Sequence, residues 1–360
     1  MMSTVLFSYS QLESFVHQVW MKNGFSEEHA AMATLNLLEA DLRGIDSHGV
    51  ARLQGYLNLI QVGRINPNPN MTIEAEAMAT ATLDADAAVG LVSGTWATDL
   101  AIEKAKKCGI GMVVVNHSNH FGIAYTHLKK ALSEGFIGIS FTNASAFVAP
   151  AGGKERMLGT NPMCYAFPSP DGRHVVVDLA TSAAANGKLE IAERTGKAIP
   201  KGWVMDENGE PSTDPSILKK GGMMIPLGSF EELGVHKGFG LSAVVDLFSG
   251  VLSGANFGPW VPPFPAFAPL PSETVGKGIG HCFWIINPEA FRTRSSYDQA
   301  LLTWIHRFKN SIPLNDEIPV VIPGEPEMAF YHHRMEHGLP INAKVAEELK
   351  KISEKFEISL

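Results

Sequence analysis

Between residues 79 and 142 the chain alternates three short apolar runs with two helical stretches. The runs Ala79–Asp84, Gly111–Val115 and Phe136–Thr142 read as strands, and the segments near 92–107 and 122–133 between them read as helices. Gly135 supplies a natural C-terminal cap for the second helix. Such alternation specifies an α/β layer, because each strand buries its faces against the helix that follows. The later strand candidates, Met163–Phe167, His174–Asp178 and Cys282–Ile286, lack that regular helical spacing and predict antiparallel pairing. The expected fold class is therefore α/β (α+β) with a mixed sheet flanked by helices.

The flanks of this block read as helical. Ser10-Gln-Leu-Glu13 has capping-box spacing ahead of Leu12, Phe15, Val16, Val19 and Trp20. Ser26 caps a second helix that runs to about Asp41, with Glu27 and Glu28 in its first turn. The proline-spaced connector Ile65–Asn70 marks a boundary. Further helices are expected over about Gly238–Leu252, over Tyr297–Lys309, and over Ala343–Phe356, where Val345, Leu349, Ile352 and Phe356 form one stripe. Asn256–Ser272 carries six prolines and reads as a long ordered loop over a site or an interface.

Composition narrows the function classes. The 360 residues carry a formal net charge of −8 and no long basic run, which argues against general nucleic-acid binding. Cys108, Cys164 and Cys282 are few, distant and odd in number, so neither a disulfide framework nor a zinc ribbon is expected. The first eleven residues show no charged segment followed by an apolar one, so no signal peptide is expected. No apolar run reaches the roughly 18 residues that span a bilayer. A cytoplasmic location without membrane contact is the expectation. Charged residues are only 18% of the chain, consistent with extra burial against another subunit.

Five clusters could carry chemistry. In Asp41–Leu53, Gly44 breaks the second helix and Asp46 or Ser47 is a natural cap for the next. That start would put His48, Arg52 and Tyr56 at i, i+4 and i+8 on one helical face. The face offers an acid/base group, a fork for a carboxylate and a phenolic donor. A capped surface helix with a polar face is the bland alternative. Asn116–Gly122 follows a strand and precedes a helix. His117 and His120 there could ligate a metal, or the loop could simply satisfy its own backbone. Gly159-Thr-Asn-Pro162 is a turn that turn chemistry alone explains. Asp178, at the end of a strand leading to Ser182, could cap a helix or bind a ribose hydroxyl. His236-Lys-Gly-Phe-Gly240 opens a helix and could suit an anion. A G-x-G-x-x-G fingerprint, a Walker A loop and a G-x-S-x-G elbow are all missing.

Arg43–Leu53, Asn119-His-Phe-Gly122, Gly159-Thr-Asn-Pro162 and Asp178-Leu-Ala-Thr-Ser182 together resemble the type 2 malate/L-lactate dehydrogenase family. The resemblance continues, in order, through His236–Gly240, Ile286-Asn-Pro288 and Pro323-Gly-Glu325. That family includes ureidoglycolate, sulfolactate and diketogulonate oxidoreductases and a cyclic imine reductase. The resemblance implies a nicotinamide-binding part, residues 71–309, that is not a Rossmann domain and has a mixed, largely antiparallel sheet. Residues 1–70 with 310–360 would form a helical part for substrate and dimerisation. It implies NAD or NADP as cofactor, a small carboxylic acid as substrate, no metal, and a homodimer or larger homo-oligomer.

Carried over residue by residue, the resemblance makes His48 the proton donor, with Ser47 beside it, and His120 a second catalytic histidine. Which of the two moves the proton stays open. Arg52 becomes the carboxylate clamp, Tyr56 and Thr160 substrate contacts, and His120, Phe121, Gly122, Asp178, Leu179, Ala180, Lys237, Gly324 and Glu325 cofactor contacts. Lys188 is carried over as a further catalytic residue, and it resembles the hydroxy-acid branch rather than the imine branch. The loop Asn143–Ala146 differs among members and could affect substrate or cofactor choice. Three rivals remain at this point: a reductase of a cyclic imine or sugar-derived diketo acid, a metal-dependent hydrolase using His117, His120 and His48, and a catalytically silent binding protein.

Overall fold

The computed structural model describes residues 4–315 and 317–360. Strand β1 (Thr4–Phe7) is followed by helices α1 (Tyr9–Lys22), α2 (Glu27–Leu42) and α3 (Leu53–Gln61). Next come β2 (Thr72–Glu76), β3 (Thr80–Asp84), α4 (Gly90–Cys108), β4 (Ile110–Ser118), α5 (Lys129–Ser133) and β5 (Ile137–Thr142). The middle holds β6 (Met163–Phe167), β7 (Val175–Leu179), α6 (Asn186–Thr195), β8 (Val204–Met205), β9 (Pro211–Ser212), β10 (Met223–Met224) and α7 (Val235–Asp246). The chain continues with β11 (Ile279–Ile286), α8 (Arg294–Lys309), α9 (Glu325–His337), β12 (Leu339–Asn342) and α10 (Ala343–Phe356).

Seven strands make the main sheet, in the order β2-β3-β4-β11-β5-β6-β7. Only β3 and β4, joined by the crossover helix α4, run parallel; the other five neighbouring pairs are antiparallel. The expected mixed sheet flanked by helices is present. β11 sits at its centre because both its faces are apolar. Phe283 and Ile285 pack on the α4 side with Val113 and Val115, while Cys282 packs on the α7 side with Val245 and Phe141. α4 approaches closely because Ala97, Ala101 and Ala105 present a row of small residues. Gly111 of β4 lies beneath that row, where a Cβ would fall 2.0 Å from the Ala101 carbonyl oxygen.

A second core joins the two ends of the chain. Leu12, Phe15, Val19 and Trp20 of α1 and Leu37 and Leu38 of α2 pack with Val345, Leu349 and Ile352 of α10. β1 pairs with β12 beside it. α1 is capped by Ser8, whose Oγ accepts from the Gln11 N–H at 3.2 Å, and not by Ser10. Ser8 has the extended backbone a cap needs, and Glu13 is engaged by the Tyr9 hydroxyl at 3.0 Å. Ser26 caps α2 as the sequence indicates. Elsewhere the expected helix over 122–133 is a 3-10 turn, Ala124–Leu128, leading into short α5, and α7 passes into a π turn at Leu247–Val251.

The close seating of α4 on β4 predicts that Gly111→Ala destabilises the fold by about 3 kcal/mol, since backbone must move to admit the methyl group. A chemical denaturation midpoint equal to that of the parent protein would contradict this seating.

Candidate active site

The site is set by how α2 gives way to α3. Gly44, at φ +79°, ends α2. The next turn does not start at Asp46 or Ser47. It starts at Val50, whose N–H donates to Asp41 Oδ2 at 2.8 Å. A carboxylate from the end of the preceding helix thus does the capping. Gly49 allows it, because a Cβ there would lie 2.1 Å from the Asp41 carboxylate. Burial pushes the Asp41 carboxyl up to about 8, with Asp46 adding to the shift. Arg334 of α9 donates to the Asp41 carbonyl and to the Asp46 carboxylate, fastening this turn to the C-terminal helices. His48 therefore precedes the helix and does not share one helical face with Arg52 and Tyr56.

Tertiary packing brings the three together by another route. The Ser47 hydroxyl lies 2.8 Å from His48 Nδ1. The Arg52 Nε–H donates to the Ser47 carbonyl at 2.7 Å, and the two terminal nitrogens of the guanidinium face the Glu190 carboxylate. Tyr56 is fully buried, and its hydroxyl is 2.7 Å from His120 Nδ1. The His48 and His120 rings stack at 5.7 Å between centroids, 23° from parallel.

His120 arrives on the loop after β4. The Asn119 side-chain amide fixes that loop by donating to the carbonyls of Arg64, Ala87 and Ala88. The Gly122 N–H donates to His120 Nδ1 at 3.3 Å. A backbone N–H can only donate, so Nδ1 is an acceptor and the neutral ring carries its proton on Nε2. Burial holds His120 well below its usual range, with the His48 and Arg52 charges adding to the shift. Burial, then Arg52, lowers His48 to about 3. Both rings are neutral near pH 7.

His117 turns the other way. Its Nδ1 lies 2.8 Å from Asp84 Oδ1, at φ +52°. The His117, His120 and His48 ligand set of the hydrolase reading does not assemble.

His48, Arg52, His120, Gly122 and Thr160 line one cavity of about 330 Å³, together with Asp178, Leu179 and Ala180. Phe264, from the proline-rich loop, covers it with its ring 4.9 Å from His120. A second cavity of about 300 Å³ adjoins the first, and the two share Ile45, Asp178 and Glu327. Gly324 lines this second space. Asp178 Oδ2 accepts from the Tyr125 N–H at 2.9 Å, so it caps the turn at 124–128 while it lines both cavities. Burial raises Asp178 to about 6.

Other sequence candidates lie elsewhere. Phe121 is buried behind the loop, stacked on His281 at 4.9 Å. Lys188 Nζ sits over the Trp203 ring at 5.7 Å, outside the cavity lining. Lys237 is exposed in the first turn of α7, where Gly238 serves close packing against the Leu227 backbone. The Glu325 carboxylate is taken by Lys309 Nζ at 2.5 Å and the Ile322 N–H at 2.9 Å. The sequence reading missed Glu190, Glu327, Ile45 and Phe264, all of which line the first cavity. Only the proline-rich loop carried a signal, as a segment over a site.

The sequence model of the malate/L-lactate dehydrogenase family matches residues 7–350. The chain is 42% identical to malate dehydrogenase of Pyrococcus abyssi, over 97% of this chain and 94% of that protein. The fold superposes on the crystal structure of malate dehydrogenase from Entamoeba histolytica with a TM-score of 0.92 at 35% identity, covering 99% of both chains. Sulfolactate dehydrogenase from Methanocaldococcus jannaschii gives 0.87 at 33% identity, covering 99% of this chain and 98% of that one. The full-length match in sequence and fold places this chain in the malate/L-lactate dehydrogenase family.

Proposed function

We propose that this protein is an NAD(P)-dependent dehydrogenase that interconverts a small 2-hydroxy acid and its 2-keto acid, of the malate or lactate type. The observation that carries the reading is the convergence of one guanidinium fork and two neutral imidazoles on a single cavity that continues into a second. A 2-hydroxy acid presents a carboxylate beside an alcohol, which are the two groups such a cavity can hold and deprotonate.

The residues fit a dinucleotide. Ile45 and Leu179 offer apolar wall for a flat ring, and the Asp178 and Glu327 carboxylates offer acceptors for ribose hydroxyls. A bound nicotinamide would supply the hydride acceptor for C2 of the hydroxy acid and the hydride donor for the keto acid. The outward edge of Arg52 holds the substrate carboxylate and so fixes where C2 lies. His120, with Nδ1 occupied, presents Nε2–H to the substrate oxygen and steadies its developing negative charge. Its remaining nitrogen cannot accept a proton while neutral. His48 is therefore the proton acceptor in oxidation and the donor in reduction, with Ser47 adjusting to either ring tautomer. Phe264 limits water above the pair.

Several finer points belong to the same reading. The part that binds NAD or NADP is of non-Rossmann type within residues 71–309, a view supported by the single parallel strand pair. Residues 1–70 with 310–360 form the helical part, a view supported by the core that α1 and α2 share with α10. The protein is a homodimer or larger homo-oligomer, a view supported by the outward apolar row Leu241, Val244, Leu247 and Val251 on α7 and the turn after it. A cytoplasmic location is supported by three cysteines that are all free. Among the described residues no helix is long and apolar enough to cross a membrane.

The direct test is a panel of 2-keto acids, oxaloacetate and pyruvate included, mixed with NADH or NADPH and followed at the absorbance of the reduced nicotinamide. Oxidation of the cofactor with at least one acid is expected. None with any acid, from folded protein, would overturn the reading.

Two further outcomes follow from the geometry. Tyr56→Phe removes the hydroxyl that steadies His120, and kcat should fall about tenfold, equivalent to one hydrogen bond of about 1.4 kcal/mol, with KM little changed. An unchanged kcat would show that the Gly122 amide suffices. The pH dependence of kcat/KM reports the free protein. His48 is already neutral there, so oxidation of the hydroxy acid should be flat over about pH 6 to 8. Reduction of the keto acid needs one proton taken up by a ring that resists it, so kcat/KM should fall about tenfold per pH unit over the same range. An inflection near the ordinary histidine value in the oxidation profile would contradict the burial of His48.

A further inference from the structure

The Arg52 fork is occupied by a carboxylate from this chain. Arg52 Nη2 lies 3.2 Å from Glu190 Oε2 and 3.3 Å from Oε1, and Nη1 lies 3.3 Å from Oε1. The third donor, Nε, is tied to the Ser47 carbonyl, so Glu190 covers the edge that a ligand would approach. The Asn186 side-chain amide donates to Glu190 Oε1 at 3.0 Å and steadies it. Both Arg52 and Glu190 line the first cavity, and Arg52 is the sole lysine or arginine among the described residues that do so.

Glu190 is carried on a lightly anchored element. Of the ten residues of α6, only Gly187 and Leu189 are buried. Gly187 rests directly on Ser47, where a Cβ would lie 2.3 Å from the Ser47 Cβ. α6 thus meets the Ser47–His48 turn through Gly187 and the Glu190–Arg52 ion pair, while Leu189 packs away from that turn with Val148, Ala184 and Ile199. An arginine fork binds one carboxylate in two-pronged geometry at a time.

We propose that Glu190 is an internal stand-in for the substrate carboxylate. It holds the Arg52 fork in the substrate-free protein, and the incoming 2-keto or 2-hydroxy acid displaces it. The proposal rests on the dehydrogenase reading above and adds a residue that sets how strongly a substrate must bind to gain the fork. Affinity is reduced by the fraction of protein in which the fork is free. A partly exposed ion pair makes that fraction about one fifth.

The experiment compares steady-state kinetics of the parent protein, Glu190→Gln and Glu190→Asp with the best 2-keto acid of the panel. Glu190→Gln should lower KM about fivefold and leave kcat within about twofold. Glu190→Asp withdraws the carboxylate by one methylene, and its KM should fall between the other two. Should Glu190→Gln fail to fold, the lowered KM of Glu190→Asp carries the test. A KM that is unchanged or raised in the folded variants would overturn the proposal, a rise marking Glu190 as a support that orients Arg52. If the parent protein turns over no 2-keto acid, the dehydrogenase reading fails instead, which keeps the two failures apart.

Discussion

The buried hydrogen bond from the Val50 N–H to the Asp41 carboxylate is the constraint on which the site depends. It decides where the chain re-enters a helix after Gly44. It thereby leaves Ser47 and His48 in an irregular turn and starts the helical register that aims Arg52 and Tyr56. A buried carboxyl is costly unless it is satisfied or neutral. Here the Val50 amide and nearby Arg334 offset that cost, and the raised Asp41 value shows that burial still dominates. Gly49 admits the carboxylate, and Arg334 ties the turn to α9, so residues nearly three hundred positions apart define one corner of the cavity.

The electrostatics of the cleft follow from the same burial. One fixed positive charge, Arg52, faces Asp178, Glu190 and Glu327 and two imidazoles. Desolvation and that positive charge keep both imidazoles neutral. A neutral pair can divide its work, one ring locked by Tyr56 and Gly122 as a donor and the other free to exchange a proton beside Ser47. A substrate carboxylate would offset the charge of Arg52 and ease protonation of His48 at the moment the proton is needed.

Much of this was legible in the chain. Met163–Phe167 and Ala343–Phe356 were readable to the residue, because their apolar patterns are local and complete. β2 is exposed throughout and gives no burial pattern to read. β1 and β12 are four-residue strands whose pairing joins opposite ends of the chain. α6 buries two residues only, so no apolar stripe announces it, and α9 begins Glu325-Pro326 and buries Arg334 alone among its described residues. Of the site, His48, Arg52, His120, Thr160 and the Asp178–Ala180 strand end were named from the sequence and line one cavity. Tyr56, expected at the substrate, is buried with its hydroxyl 2.7 Å from His120 Nδ1, a contact that spans 64 residues and has no local signal. Glu190 left no trace, since nothing near it in the chain points to an arginine 138 residues away.

In the proposed reaction, hydride passes directly between C2 of a hydroxy acid and a nicotinamide in this cavity while His48 handles the proton. The measurement that tests it most directly follows deuterium from a C2-deuterated 2-hydroxy acid. Direct transfer puts the label in the reduced cofactor, by mass spectrometry, and makes kcat/KM for the labelled acid lower than for the unlabelled one. Label found in the solvent, with none in the cofactor, would contradict it.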